Sequence, residues 1–325
     1  MIRPALFAAL LLALVTLPVH GAETSIGLFT IVEGDLVVLR ETREFAAAEG
    51  MRLRSDDIVR SRDATRLARI ELDDGTVLDI GPATELLLQP RAFVTPAAPA
   101  ERGLSLYLLR GWLKVSTTAG KGTSSVALAS PQLGVARLAG SVVVRATPQA
   151  SLVFVEAGQA DVFERAAGKP GAAHALKDGD AFAARGAQAG AMLRRPPPDL
   201  IEGLPRAFAD SLPRRSAQWQ GRIVDAGAGN ELAYADVSAW LHAEAALRPS
   251  FVQRFSPLAR ERRFRASLVA ELRAHPEWDR VLFPEKYRPR TAALAAARRG
   301  IAPPAATHTP TAEPTLAQAP ETETP

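Results

Sequence analysis

The residues best equipped for chemistry lie towards the end of the chain, in His275-Pro276-Glu277-Trp278-Asp279. Two carboxylates beside a histidine could do acid–base work. The same run also reads as a helix-ending turn whose Trp278 packs inward, because Pro276 cannot continue a helix; that reading is adopted. Past the first twenty residues the other histidines are His174, His242 and His308, at no metal-ligand spacing. Asp56-Asp57 and Asp73-Asp74 invite calcium, but neither fits an EF-hand loop. Turn chemistry accounts for both. There is no nucleophile elbow, zinc-protease helix motif or phosphate-cradling glycine loop. The lack of cysteine excludes thiolate chemistry, disulfides and lipid attachment through cysteine. The expectation is a protein that is not an enzyme, with no catalytic residue, cofactor or metal.

Residues suited to touching a partner are easier to find. Arg260, Arg262, Arg263 and Arg265 could meet phosphate or an acidic protein, or could form a solvated helix face with their stems over apolar neighbours. Tyr107 and Trp112 could supply an apolar binding edge, although aromatics between strands are more often core. These six residues are the candidate contacts. A net charge of +4 on 325 residues does not point to nucleic acid and supports only a mild preference for anionic surfaces.

Short strands must position these groups over the first part of the chain. Arg66–Leu88 reads as three strands: Leu67–Leu72, Thr76–Ile80 and Thr84–Leu88, broken at Asp73-Asp74-Gly75 and Gly81-Pro82. Asp-Gly between apolar runs is a strong hairpin signal, here expected as a type I′ turn over Asp74-Gly75. Ile26–Val32 and Leu36–Arg40 flank a turn at Glu33-Gly34-Asp35, and Phe45–Glu49 is ambiguous between helix and loop. Leu104–Leu109 and Trp112–Thr117 are expected to pair around Arg110-Gly111. Ser141–Ala146, Ser151–Glu156 and Gln159–Arg165 come next as separate strands. Gln89–Gly103 and Ala119–Ser125 are expected as loops. This density of strands and glycines implies a mainly β fold, a sandwich or stacked solenoid. Gly111, Gly140, Gly158 and Gly179 keep no strict period, so no sequence repeat is assigned.

The ordered run carries a resemblance. It consists of Gly34-Asp35, Leu36–Arg40, Gly50–Leu53, Asp57-Ile58-Val59, the Asp74-Gly75 hairpin with Leu78…Gly81-Pro82…Thr84, Leu109–Val115, Ser130-Pro131, Gly140–Val144, Val153–Gly158 and Leu176–Asp180. Spread over roughly half the chain, it resembles the periplasmic domain of the FecR family. Ser61, Ser130 and Ser141 stand where that family usually has threonine, which keeps small polar residues in place. The resemblance implies an all-β domain with a capacity for protein contact. Members of the family are inner-membrane regulators whose cytoplasmic part handles a sigma factor and whose periplasmic domain receives a signal from an outer-membrane receptor.

The start of this chain differs from that plan. Arg3, the apolar Ala5–Leu17 and the small residues Gly21-Ala22 read as a secretory signal peptide over residues 1–22. The expectation is a periplasmic protein with no sigma-factor segment and no membrane span after signal removal; an uncleaved signal anchor, giving a signal-anchored regulator of FecR type, is the alternative. The domains expected are the β domain at 24–185, a Gly/Pro-rich linker at 186–199, a small helical domain at 200–298 and a disordered tail at 299–325, rich in Pro, Thr and Ala. The β domain is expected to fold without the helical part. Helices are expected over Leu200–Leu212, from an N-cap at Asp236 to Pro249, from Ser256-Pro257 to His275, and marginally over Thr291–Arg299. These short helices are expected to gain stability by packing Trp219, Trp240, Trp278 and Phe264 together, or by docking on the β domain. The function expected is an interaction or signalling-scaffold module with an unidentified envelope protein as partner. Binding of carbohydrate, peptidoglycan or an anionic glycan is the second possibility, and a hydrolase built on acidic residues the third.

Overall fold

A computed structural model describes residues 25–89, 104–117, 126–166, 169–186 and 188–287. The expected signal peptide, the loops within 90–103 and 118–125, the helix over Thr291–Arg299 and the tail at 299–325 lie outside the described residues. The chain divides into a compact unit ending at Leu282 and a second beginning at Phe283. In the second, Pro284–Tyr287 form one 3₁₀ turn, with the Lys286 ammonium 4.2 Å from the Phe283 ring centre. No helix among the described residues is long and apolar enough to cross a membrane.

The first unit is mainly β, as the turn signals require. Its strands are β1 (Ser25–Glu33), β2 (Leu36–Arg40), β3 (Arg43–Ala46), β4 (Arg52–Arg54), β5 (Ile58–Ser61), β6 (Leu67–Leu72), β7 (Val77–Ile80), β8 (Glu85–Leu88), β9 (Ser105–Ser116), β10 (Ala127–Ala129), β11 (Leu133–Ala146), β12 (Ala150–Ala166), β13 (Lys169–Lys177), β14 (Ala181–Arg185), β15 (Gln188–Leu193) and β16 (Asn230–Glu231). Pairing arranges them as two layers. One runs β4-β1-β6-β7-β9-β11-β12-β14-β15. The other runs β16-β3-β2-β5-β8-β9-β10-β11-β12-β13. All pairs are antiparallel except β9 with β10. The layers share β9, β11 and β12, which cross from one to the other.

The crossings correct the expected strand breaks. Leu104–Leu109 and Trp112–Thr117 are not a hairpin: they are the two halves of β9, paired with β8 before Gly111 and with β7 after it. Likewise Ser151–Glu156 and Gln159–Arg165 are one strand, β12, which bends beside β11 where Gly140 faces Gly158. Gly140 has φ of +118°, and a Cβ there would stand 2.1 Å from the Ala157 carbonyl oxygen. Only glycine fits such an approach, and the bulge turns the strand out of its layer. Phe45 lies in β3, neither in a helix nor in a loop. The Asp73–Gly75 hairpin also differs from expectation. Only Gly75 takes positive φ, Gly75 N–H donates to Leu72 C=O, and Leu72 N–H donates to Thr76 C=O. That is a three-residue loop with the glycine as bulge, not a two-residue type I′ turn.

Alternation along the strands points Phe29, Val38, Val59, Ala68, Ile70, Leu78, Leu86, Leu106, Leu113, Val144, Val153 and Phe182 into one core between the layers. The outward positions are also buried. Leu67, Trp112, Val143, Leu152 and Ala183 form a second cluster with Leu200, Ala207 and Phe208. A sheet apolar on both faces needs a cover, and the chain after β15 supplies it. Where a linker is expected, β15 is a strand paired with β14. The expected Leu200–Leu212 helix is α1 (Pro198–Gly203) and then a 3₁₀ turn, Arg206–Ala209. These lie over the outer face of the first layer. β16 then joins the other layer. After it come α2 (Tyr234–Leu241), α3 (Arg248–Phe255), a 3₁₀ turn at Ser256–Arg260, α4 (Arg262–Ala270) and α5 (Asp279–Leu282). Asp236 is the third residue of α2 rather than its cap and accepts from Ala233 N–H at 2.8 Å. Pro249 sits in the first turn of α3, where its missing N–H costs nothing.

This covering segment, a strap from the end of β15 to α5, is tied to the sheet by buried charge. The Arg69–Asp79 pair (2.6 and 3.0 Å) crosses from β6 to β7, and Arg69 donates to the Leu212 carbonyl at 2.9 Å. Glu71 accepts from Arg215 and Ser216 N–H at 2.7 and 3.1 Å. Burial pushes its carboxyl up, and the Arg215 and Ser216 N–H groups together with the Ser216 and Thr30 hydroxyls outweigh that and hold it below the usual range. Lys114 donates to the Phe208 carbonyl, Arg60 to that of Asp236, and Arg254 to those of Leu39 and Asp56.

A chain ending at Arg185 would bare Leu67, Trp112, Val143 and Leu152 and leave Arg69 and Glu71 without their strap partners. It is expected to aggregate or to melt without a sharp transition, whereas the chain through Tyr287 melts in one. A soluble 24–185 fragment with a cooperative calorimetric transition would show the strap to be dispensable.

Candidate functional site

Tyr107 and Trp112 sit on the two halves of β9 and point into different packing clusters. Tyr107 is fully buried, 6.3 Å from the Trp240 ring, with the Arg165 guanidinium 5.9 Å from its centre. Burial, then the nearby Glu244 charge, pushes its phenol far above its ordinary value. Trp112 is 8% exposed, and the Arg145 guanidinium lies over its ring at 5.0 Å. The outward-facing aromatics thus hold the strap down. What Tyr107 does offer is part of a half-open, mostly apolar groove of about 420 Å³, shared with Leu109, Pro131, Pro148, Ala239 and His242.

The arginine run is presented differently. Glu261 caps α4, its carboxylate accepting from Phe264 N–H at 2.6 Å. The backbone N–H groups of Arg263 and Phe264 hold that carboxyl below the usual range. Phe264 and Leu268 take the inward face, which leaves Arg260, Arg262 and Arg263 exposed. Arg265 is half-buried and donates to the Leu282 carbonyl. Three of the four arginines therefore face solvent and the fourth holds α5. Residues 248–299 carry thirteen Lys or Arg against five Asp or Glu, so the exposed cations lie in a strongly basic stretch.

The acidic candidates resolve into structural roles. Asp57 takes a bidentate bond from Arg40 (2.9 and 2.6 Å) and one from Arg54 N–H. Asp74 accepts from Thr76 N–H at 2.7 Å. Glu277 lies 3.7 Å from Arg248, and Asp279 opens α5. Among the described residues no group of three or more His, Asp or Glu is placed to hold a metal. Trp240 and Trp278 are buried in the helical cover, Trp240 against Phe251 at 5.6 Å. Trp219 does not join them. It lies against Gly50, where a Cβ would meet its ring at 2.3 Å.

The sequence reading missed one pairing. His242 and His275 stand 5.0 Å apart, edge to face, between α2 and the turn at Pro276–Trp278. His242 Nδ1 lies 2.7 Å from the Ser238 carbonyl. His275 is fully buried, and neither ring nitrogen has a hydrogen-bond partner among the described residues. Burial, with the His242 charge next, lowers its pKa; Glu277 and Glu271 oppose this and Arg248 adds to it. The two histidines lie 33 positions apart, so spacing gave no signal.

Comparison with known proteins adds little. No family model matches, and no curated protein matches. Among solved structures, two crystal structures of a proposed anti-sigma factor from Parabacteroides distasonis ATCC 8503 align with TM-score 0.34, at 16% and 15% identity, over 42% of this chain. The alignment spans 59% of that protein. A likeness of this size assigns neither a fold family nor a function.

His275 sets a pH dependence. Its folded pKa lies below the unfolded value of about 6.5, so the unfolded chain binds the proton first. Stability is therefore full above that value and falls as the pH drops through the folded pKa. His275→Phe is expected to flatten the melting temperature between about pH 6.5 and 5 and to leave it nearly unchanged at pH 8. Parallel profiles for the two proteins would show that His275 does not titrate in this window.

Proposed function

We propose that this chain is a non-enzymatic contact module of the bacterial periplasm, docking an acidic envelope protein on the face formed by Arg260, Arg262 and Arg263. One observation carries the reading. The largely buried cations of the outer sheet faces, Arg60, Arg69, Lys114 and Arg165, are engaged by carboxylates or backbone carbonyls, while Arg260, ending the 3₁₀ turn before α4, and Arg262 and Arg263, in the first turn of α4, stand together in solvent. Exposed arginines without assigned internal work, in a stretch with net positive charge, suit electrostatic docking of an acidic surface. The motif order resembling FecR periplasmic domains and the leader-like Arg3 to Ala22 support the address.

Two measurements test this. Intact-mass analysis of the periplasmic fraction is expected to show a chain beginning near Ala22 or Glu23; a full-length chain in the inner membrane would replace the reading with a signal-anchored regulator. A photo-crosslinking residue at Arg263 is expected to give one dominant, salt-sensitive adduct that the same residue at Lys169 does not. Reversal of Arg260 and Arg262 to Glu is expected to cut the Arg263 adduct about tenfold, the effect of ~1.4 kcal/mol. Identical adducts from Arg263 and Lys169, or yields indifferent to charge reversal, would remove α4 as the docking face.

A further inference from the structure

A second surface, built around Trp219, has the chemistry of a sugar site. A polar pocket of about 300 Å³ opens where the strap passes the Asp73–Gly75 hairpin, lined by Arg52, Glu71, Asp73, Arg214, Trp219 and Gln220 among others. Its parts are held from below. The buried Glu71 carboxylate accepts the N–H groups of Arg215 and Ser216 and so fixes the 3₁₀ turn Ser216–Trp219. The turn lays the indole against the bare backbone of Gly50, where any side chain would strike Cε3. Arg214 is engaged with the Gly75 carbonyl.

The remaining polar groups are not used by the protein. Arg52 and Gln220 are exposed, as is Asp73, and none of their side-chain heads makes a hydrogen bond or ion pair among the described residues. The Trp219 indole N–H is buried and has no partner among them. Idle planar polar groups gathered beside an indole in one pocket give it the chemistry of a ligand site. The set combines an aromatic ring, a guanidinium, a carboxylate and an amide. A pyranose asks for that combination: its C–H face stacks on indole, and its hydroxyls both donate and accept. The volume is at the small end of ligand pockets and suits one ring rather than a stretch of peptide. Arg52 has no assigned counter-charge, which favours an anionic substituent on the sugar.

We propose that this pocket binds a saccharide residue carrying a carboxylate, with its ring on Trp219, its carboxylate on Arg52 and its hydroxyls on Asp73 and Gln220. The site lies apart from the α4 face and does not depend on it. Arg52 and Asp73 act by direct contact; Glu71 acts by positioning the turn.

The other tryptophans, Trp112, Trp240 and Trp278, are 8%, 0% and 1% exposed, so a change in emission on titration reports Trp219. The full mature chain is titrated with glucuronate, with a hexuronate oligomer and with a neutral N-acetylglucosamine oligomer. Calorimetry on the same titrations covers stacking that leaves emission unchanged. Saturable binding of the hexuronate oligomer is expected, weakened about tenfold in Arg52→Ala and in Asp73→Asn, with both variants melting as the wild type. Binding of free glucuronate with equal affinity would assign the site to a small sugar acid; tighter oligomer binding assigns it to a polysaccharide. The proposal is overturned by absence of saturable binding to either uronate, by affinity unchanged in Arg52→Ala, or by equal binding of polyglutamate, which would make the pocket a plain cationic patch.

Discussion

The structure depends on the burial of charge on the outer faces of its sheet. Arg69, Asp79 and Glu71 point away from the core, yet each is at most 5% exposed. An ion taken from water without partners costs several kcal/mol, so the strap must bring its backbone to them. It does so at Leu212, Arg215 and Ser216. On the other layer Arg254 of α3 reaches the carbonyls of Leu39 and Asp56, and Arg165 of β12 reaches Glu244 beyond α2. The bonds run both ways, from sheet to strap and from strap to sheet. Each is directional, so together they select one path for a segment whose helices are too short to be stable alone.

The helical part is accordingly organised by what it covers. Trp240 lies between Tyr107 of the sheet and Phe251 of α3. Phe208 joins Trp112 in the second cluster. Aromatics on β9 that could have formed a binding edge are the anchors of this cover. The two binding surfaces proposed lie on the strap itself: the outward face of α4 and the Trp219 turn.

The hairpins of the first half were legible because their signals are local. Gly75 between Leu72 and Val77, and Gly81-Pro82 before Thr84, act through φ values that glycine and proline set within two residues. The candidate site was legible only in part. Arg262 and Arg263 could be placed outward because Phe264 and Leu268 mark the inward face of the same helix, whereas Arg260 ends the 3₁₀ turn before it. Tyr107 and Trp112 could not be placed, since alternation shows which residues share a face and not what lies against it. The Trp219 pocket gave no signal, because Arg52, Asp73 and Gln220 meet only where the strap crosses the sheet.

By itself the sequence determined the β character and many of the turns, both consequences of periodicity and of backbone preferences that act over a few residues. The tertiary structure decided whether a glycine ends a strand or bends it. Gly111, Gly140 and Gly158 have the positive φ of a turn residue, but their neighbours keep their ladder partners on both sides, so the strands continue and join two layers. It also decided that residues 188–193 pair as a strand and that the chain beyond them serves as a cover. Those outcomes rest on hydrogen bonds and buried charges between residues as far apart as Glu71 and Arg215, a separation at which no local preference acts.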